Sequence, residues 1–144
     1  MSSLRKIILP LLVLLTLTSC ATRERITHPF MRELEAQIEL VDYVISVESY
    51  WQFGAIYINV FVGDGFNRSY SQKVLSLAKR YMHADFRADI GHLTANTIVQ
   101  IRRNSDGVRL FEFVGSIHRP EDGGIQQGQT VYGQYYWHER ERPF

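Results

Sequence analysis

Cysteine is almost absent from this sequence, since Cys20 is the only one in 144 residues. The folded domain must therefore be stable without an intramolecular disulfide. An excess of charge of one sign is also lacking, because 16 basic residues stand against 15 acidic ones. A nucleic-acid-binding surface needs clustered positive charge, so we expect no nucleic-acid partner.

Catalytic motifs are lacking as well. The sequence contains no HExxH, paired CxxC or GxSxG pattern, which are the compact signatures of metal sites and of serine hydrolases. The glycines of Gly63-Asp64-Gly65 precede a predicted helix, but this turn lacks the lysine of a phosphate-binding loop, which favours a plain connection. We predict no cofactor, and an enzyme is not the expected class.

The one long apolar run, residues 7–17, is shorter than the roughly 20 residues that a membrane-spanning helix needs. It follows Arg5 and Lys6 and precedes small residues, an order typical of a secretory signal. Residues 17–20 read Leu-Thr-Ser-Cys, which resembles the lipobox of bacterial lipoproteins. An uncleaved amino-terminal anchor with an incidental cysteine is the alternative.

The resemblance implies that diacylglycerol is transferred to the thiol of Cys20, that the chain is cleaved before Cys20, and that the new amino terminus is acylated. It divides the chain into a signal peptide (1–19), a lipidated tether (20–27) and one domain (28–144). Ala21 follows the cysteine where Asp would favour the inner membrane. By resemblance to the enterobacterial sorting pattern, this implies the periplasmic side of the outer membrane, with the inner membrane as the alternative. The domain itself resembles no family that we identify from sequence.

Hydrophobic periodicity predicts an α+β domain. A stripe of apolar residues at helical spacing, from Phe30 to Ile45, follows Pro29 and predicts a helix to about Asp42. Residues 43–51 are rich in β-branched and aromatic side chains and fit either a strand or a continuation of that helix. Further along, the patterns predict a strand at 56–62, a helix at 70–83, an irregular segment at 84–93, strands at 97–103 and 108–118, a loop at 119–129 and a strand at 130–139.

Short turns join most of the predicted strands, and Asp106-Gly107 is a strong hairpin signal. We therefore expect an antiparallel sheet of four or five strands with two helices packed on one face. The expected order is one helix, one or two strands, a second helix and three strands. A βαβ arrangement with parallel strands is the less favoured alternative.

One segment concentrates possible metal ligands. His83, Asp85, Asp89 and His92 fall within ten residues, and imidazole with carboxylate suits a divalent metal. Their spacing matches no known metal motif, and Asp and His are common in turns. They are therefore only weak candidates, and a role in capping turns is favoured.

Aromatic residues near the end of the chain are the better candidates for binding. The predicted partner surface comprises Arg119, Tyr132, Tyr135, Tyr136 and Trp137. Neighbouring residues of a strand face opposite sides, so Tyr135 and Trp137 share one face and Tyr136 lies on the other. If the last strand is central, these rings are core instead. Arginine outnumbers lysine twelve to two after Cys20, which fits stacking on aromatic rings or recognition of a carboxylate partner.

These observations favour a lipoprotein that works by protein binding, as an accessory or assembly subunit of a secretion, conjugation or outer-membrane assembly machine. An immunity or inhibitor lipoprotein directed against a periplasmic toxin or lytic enzyme is the second interpretation. A small cell-envelope hydrolase is the third.

The lipobox resemblance predicts that Cys20 carries the anchor. Replacing it by serine (Cys20→Ser) removes the thiol that accepts the lipid. We expect an uncleaved precursor that incorporates no radioactive palmitate. Unchanged labelling and processing of this variant would show the lipoprotein interpretation to be wrong.

Overall fold

The elements of the computed structural model, which describes residues 22–92, 95–117 and 135–141, combine helices with a single sheet. They are β1 (Glu24–Arg25), α1 (Pro29–Glu39), β2 (Val44–Gln52), β3 (Ala55–Val62), α2 (Arg68–Tyr81), α3 (Ala84–Asp89), β4 (Asn96–Arg103), β5 (Arg109–Ser116) and β6 (Tyr136–Glu139). The α+β class and the order of the main elements are confirmed.

The sheet has six strands in the order β1-β2-β3-β4-β5-β6. Every neighbouring pair is antiparallel except β3 and β4, which run parallel. The expectation of an antiparallel sheet with four or five strands was therefore wrong. The physical reason is the connection through α2 and α3, which carries the chain back to its starting end before β4 begins, as a parallel crossover requires.

The core lies between the helices and one face of the sheet. Alternate residues of β3 supply its centre, and Ile56, Ile58 and Val60 are fully buried. They belong to one cluster with Leu34 of α1 and Val74 of α2. The alternation that predicted this strand from sequence thus places its apolar side chains under the helices.

The first helix begins as its sequence predicts and ends earlier. His28 caps it, its Nδ1 accepting a hydrogen bond from the Phe30 amide at 3.3 Å, and Pro29 is the first helical residue. The helix stops at Glu39 rather than Asp42, and the ambiguous segment that follows forms β2. Ile45, counted in the predicted helical stripe, is instead an exposed residue at a bulge of β2.

The segment 84–93, expected to be irregular, contains the short helix α3. His83 caps it, since its Nδ1 accepts a hydrogen bond from the amide of Phe86 at 3.3 Å. Six residues are too few to show an amphipathic period, which explains why the sequence pattern missed the helix. The two side chains it buries are Phe86 and Arg87.

The chain joins the sheet earlier than the predicted tether of residues 20–27 implies. Glu24 pairs with Trp51 and Arg25 with Tyr50, and Ile26 is buried in the core. Arg25 also lies 3.5 Å from Glu35 of α1, a buried carboxylate that accepts a hydrogen bond from the Ser49 amide. Cys20 lies outside the described residues.

In the parts of the chain that the structure describes, no helix is long and apolar enough to cross a membrane.

The two hairpin turns differ in how well their residues suit them. The β4–β5 turn has Gly107 at φ +70°, a conformation that glycine adopts without strain. The β2–β3 turn is the two-residue loop Phe53-Gly54, with φ values of +51° and +71°. Positive φ at both central residues is the type I′ pattern, which prefers Asn-Gly and disfavours a bulky side chain.

Phe53 therefore strains a turn that asparagine would relieve. The variant Phe53→Asn should raise the free energy of unfolding by about 1 kcal/mol, since a left-handed conformation costs an ordinary residue roughly that much. Denaturant unfolding at constant slope would measure it. The opposite change in the same turn, Gly54→Ala, should lower stability, and a less stable Phe53→Asn would show that the Phe53 ring stabilises the isolated domain.

Candidate functional site

A cleft lies where the end of α2, the short helix α3 and the start of β6 meet. Its volume is about 430 Å³. The residues that line it are Lys79, Met82, His83, Ala84, Arg87, Tyr135, Tyr136 and Trp137. We call it the Arg87 cleft. Three of the five residues predicted from sequence to bind a partner are among them.

Arg87 is the largest fully buried side chain of the described residues. Its guanidinium lies over the ring of Tyr135, 3.8 Å from the ring centre, and donates a hydrogen bond to the carbonyl of Met82. A cation held against an aromatic face is stabilised by the ring's quadrupole. Burial lowers the pKa of Arg87, while its interaction with Tyr135 acts in the opposite direction.

Tyr135 is held in place beneath Arg87 by its hydroxyl. The hydroxyl donates a hydrogen bond to the Ala95 carbonyl and lies 3.0 Å from the hydroxyl oxygen of Thr97. Burial raises the pKa of Tyr135, which favours the protonated phenol that donates this hydrogen bond. Its ring meets that of Trp137 edge to face, with 5.5 Å between centres.

The rings of Tyr135 and Trp137 lie close to the backbone of β5 because β5 carries a glycine beside them. A Cβ atom on Gly115 would lie 2.5 Å from the Tyr135 ring and 2.9 Å from that of Trp137. No side chain fits in this space. The cleft therefore depends on Gly115 as well as on the residues that line it.

Two ionic contacts hold β6 against the rest of the domain. Arg68 of α2 makes a bidentate pair with Glu139 at 2.8 and 3.1 Å. On the helix-free face, the buried carboxylate of Glu112 lies 2.8 Å from Arg109 and 3.1 Å from Arg140.

Arg87, Lys79 and Glu112 were not among the residues singled out from sequence. No local pattern distinguishes them from the other charged residues of their elements.

The side chains of the Arg87 cleft suit recognition of an anion. Lys79, His83 and Arg87 are basic, and the described residues that line the cleft include no Asp or Glu. Lys79 and His83 are exposed, whereas Arg87 is not, so Arg87 contributes positive potential beneath the surface rather than a direct contact. The neighbouring aromatic rings add apolar area of the kind that anchors protein interfaces.

The predicted face assignment on the last strand is visible in the register. Trp137 pairs with Gly115 on the helix-covered face, and Tyr136 pairs with Ser116 on the other. Arg119, Tyr132 and the loop 119–129 lie outside the described residues.

The four weak metal candidates have other contacts or stand apart. His83 caps α3, and His92 stacks on Trp51 with ring centres 3.9 Å apart. Asp85 and Asp89 are exposed at the two ends of α3. Within the described ranges, no three ligand-type side chains come together in a group that could hold a metal ion.

Comparisons of this chain with protein-family models, curated proteins and solved structures find no match. Its function must therefore be argued from its own geometry.

The stack of His92 on Trp51 predicts a pH dependence of stability. Burial lowers the pKa of His92 below its ordinary value of 6.5, while the charge of Glu24 opposes the shift. The unfolded chain therefore binds a proton at a higher pH than the folded chain does. The contribution of neutral His92 to the free energy of unfolding is fully present above pH 6.5. It is lost as the pH falls from 6.5 through the pKa of His92 in the folded protein.

The variant His92→Phe keeps an aromatic ring against Trp51 and cannot be protonated. We expect its melting temperature to change less than that of the unmodified protein between pH 6.5 and the onset of carboxylate titration, about pH 5. Thermal melts of both proteins across this window measure the difference. Parallel curves would show that His92 does not couple folding to pH.

Proposed function

We propose that this chain is a lipid-anchored protein of the cell envelope that acts by holding a protein partner, with the Arg87 cleft as the contact site. In this proposal, Cys20 carries the lipid on the periplasmic side of the outer membrane. The protein is an accessory or assembly subunit of an envelope machine. The observation that carries the binding role is the cleft itself, a basic and aromatic surface supported by a buried guanidinium.

The cleft favours binding over catalysis. A hydrolase needs a nucleophile or activated water with a general base in hydrogen-bond reach. Among the described lining residues no Ser, Thr, Cys, Asp or Glu is present. His83 uses its Nδ1 to cap α3, and none of the described lining residues is an acid that could orient a histidine base.

The chemistry of the lining also defines the kind of partner. A basic cleft favours a carboxylate, because charge complementarity raises the association rate and disfavours basic partners. The exposed ammonium of Lys79 can contact such a group directly, while the ring of Trp137, which lies on the helix-covered face, offers apolar area to the partner. The expected ligand is an acidic side chain or a carboxyl terminus of another envelope protein.

Lysine is rare enough here to make a site-specific test possible. After Cys20 the only lysines are Lys73 and Lys79, both on α2. A carbodiimide joins an amine to a carboxylate only when the two are in contact. Treatment of envelope preparations should therefore cross-link the partner to Lys79, as gel electrophoresis and mass spectrometry would show.

Lys79→Arg should abolish this cross-link while keeping the charge, and Lys73→Arg is the matched control that should leave it unchanged. Arg87→Met keeps most of the buried volume but removes the charge, so it should reduce the yield several-fold, and a thermal melt checks that this variant remains folded. Equal yields from all three variants would place the contact surface elsewhere.

A further inference from the structure

The strained Phe53 lies at the end of the domain where the chain enters from Cys20. Glu24 pairs with Trp51, and only Gln52 separates Trp51 from the Phe53-Gly54 turn. The β2–β3 turn is therefore adjacent to the segment that links the domain to Cys20. The β4–β5 turn, with Gly107 and Val108, lies at the opposite end of the same sheet.

Cys20 cannot be far from this turn. It precedes Glu24 by four residues, which span at most about 14 Å when fully extended. The polar layer of each leaflet is about 5–7 Å thick. A lipid on Cys20 thus holds the turn within reach of the bilayer surface.

Packing within the domain does not explain the aromatic residue in this turn. The side chain of Phe53 is 69% exposed although its φ of +51° is strained. Asparagine or glycine would remove the strain with little loss of buried area. A strained and exposed aromatic residue is a reason to look for a function at that position.

We propose that the tip of the β2–β3 hairpin, with Phe53 at its end, inserts into the headgroup layer of the membrane that holds the lipid of Cys20, and so fixes how the domain is oriented. This inference rests on the lipidation in the proposed function. Aromatic rings partition well to the membrane–water interface. A second attachment point beside the lipid would restrict the rotation of the domain about its anchor and so give the domain a defined orientation.

The contact is expected to be apolar rather than electrostatic. The charges beside the turn balance, since the charged residues that line the cavity next to Phe53 are Arg23 and Glu24, one of each sign. Arg23 also lies over the ring of Tyr50, 4.6 Å from its centre. Orientation should therefore not depend on anionic lipid or on ionic strength.

The first test uses the full lipidated protein in vesicles that contain brominated phosphatidylcholine, which quenches nearby tryptophan. Phe53→Trp places a reporter on the proposed contact. Val108→Trp is the matched control, because Val108 is also exposed, at 43%, but follows the opposite turn. After subtraction of the two native tryptophans, quenching at position 53 should exceed that at position 108 at least about threefold, since headgroup insertion brings only the former near the acyl chains.

The second test asks whether Phe53 sets the orientation. A fluorophore on Val108→Cys reports its distance from acceptor lipids by energy transfer, with transfer expected to be low when the hairpin tip is inserted. Adding Phe53→Asn, which relieves the turn and should not unfold the domain, should raise the transfer because the domain then tilts freely. Transfer in the parent protein should be the same at low and high salt.

The outcomes separate this inference from the proposed function, with mass spectrometry reporting the lipid on Cys20. A lipidated chain with equal quenching at both positions, or with transfer unaffected by Phe53→Asn, overturns the hairpin contact and leaves the anchor in place. A chain without lipid whose position 53 is still quenched supports the hairpin contact and overturns the anchor. A chain without lipid or quenching overturns both.

Discussion

The parallel pairing of β3 with β4 determines which parts of this chain can meet. Because the connection through α2 and α3 returns to its starting end, the beginning of β4 lies beside the beginning of β3. Register then aligns one residue from each strand in a single row across the sheet. The row is Glu24, Trp51, Ile56, Thr97, Gly115 and Trp137. At the usual strand spacing it spans about 24 Å, with the chain's entry at one side and the Arg87 cleft at the other.

Local signals in the sequence predicted the parts of this arrangement better than their assembly. The alternation of residues 56–62 and the Asp106-Gly107 turn depend on neighbouring residues only, and the structure contains both features. The direction of β4 relative to β3 depends on how a crossover of two helices packs, which no short pattern encodes. The end of α1 was also not predictable from a local pattern. The helical spacing of apolar residues continues past Glu39, whereas the β-branched residues that follow favour an extended chain.

In the candidate cleft too, the sequence indicated the residues that lie close together along the chain and not those that folding brings to them. Aromatic crowding on the last strand drew attention to Tyr135, Tyr136 and Trp137, and all three line the cleft. The basic side of the cleft was missed because Lys79 and Arg87 come from two different helices and meet β6 only after folding. A buried arginine is also contrary to the general preference of charged residues for water. The histidines were conspicuous because they lie close together in sequence, but His83 caps α3 and His92 stacks on Trp51 of β2.

The unequal turns of the two hairpins also bear on the order in which this chain folds. Gly107 suits its turn, so β4 and β5 can pair early, whereas Phe53 opposes the turn that β2 and β3 require. We expect the amino-terminal hairpin to form late and only against the surface that the later strands provide. The folding and unfolding rates of variants at positions 53 and 107 would reveal this order. If the chain is exported amino terminus first, as the proposed function requires, this hairpin would stay unpaired until the second half of the chain has crossed the membrane. The strain at Phe53 would in this way keep β2 and β3 from pairing during translocation. The contacts of the complete sheet would then offset this strain.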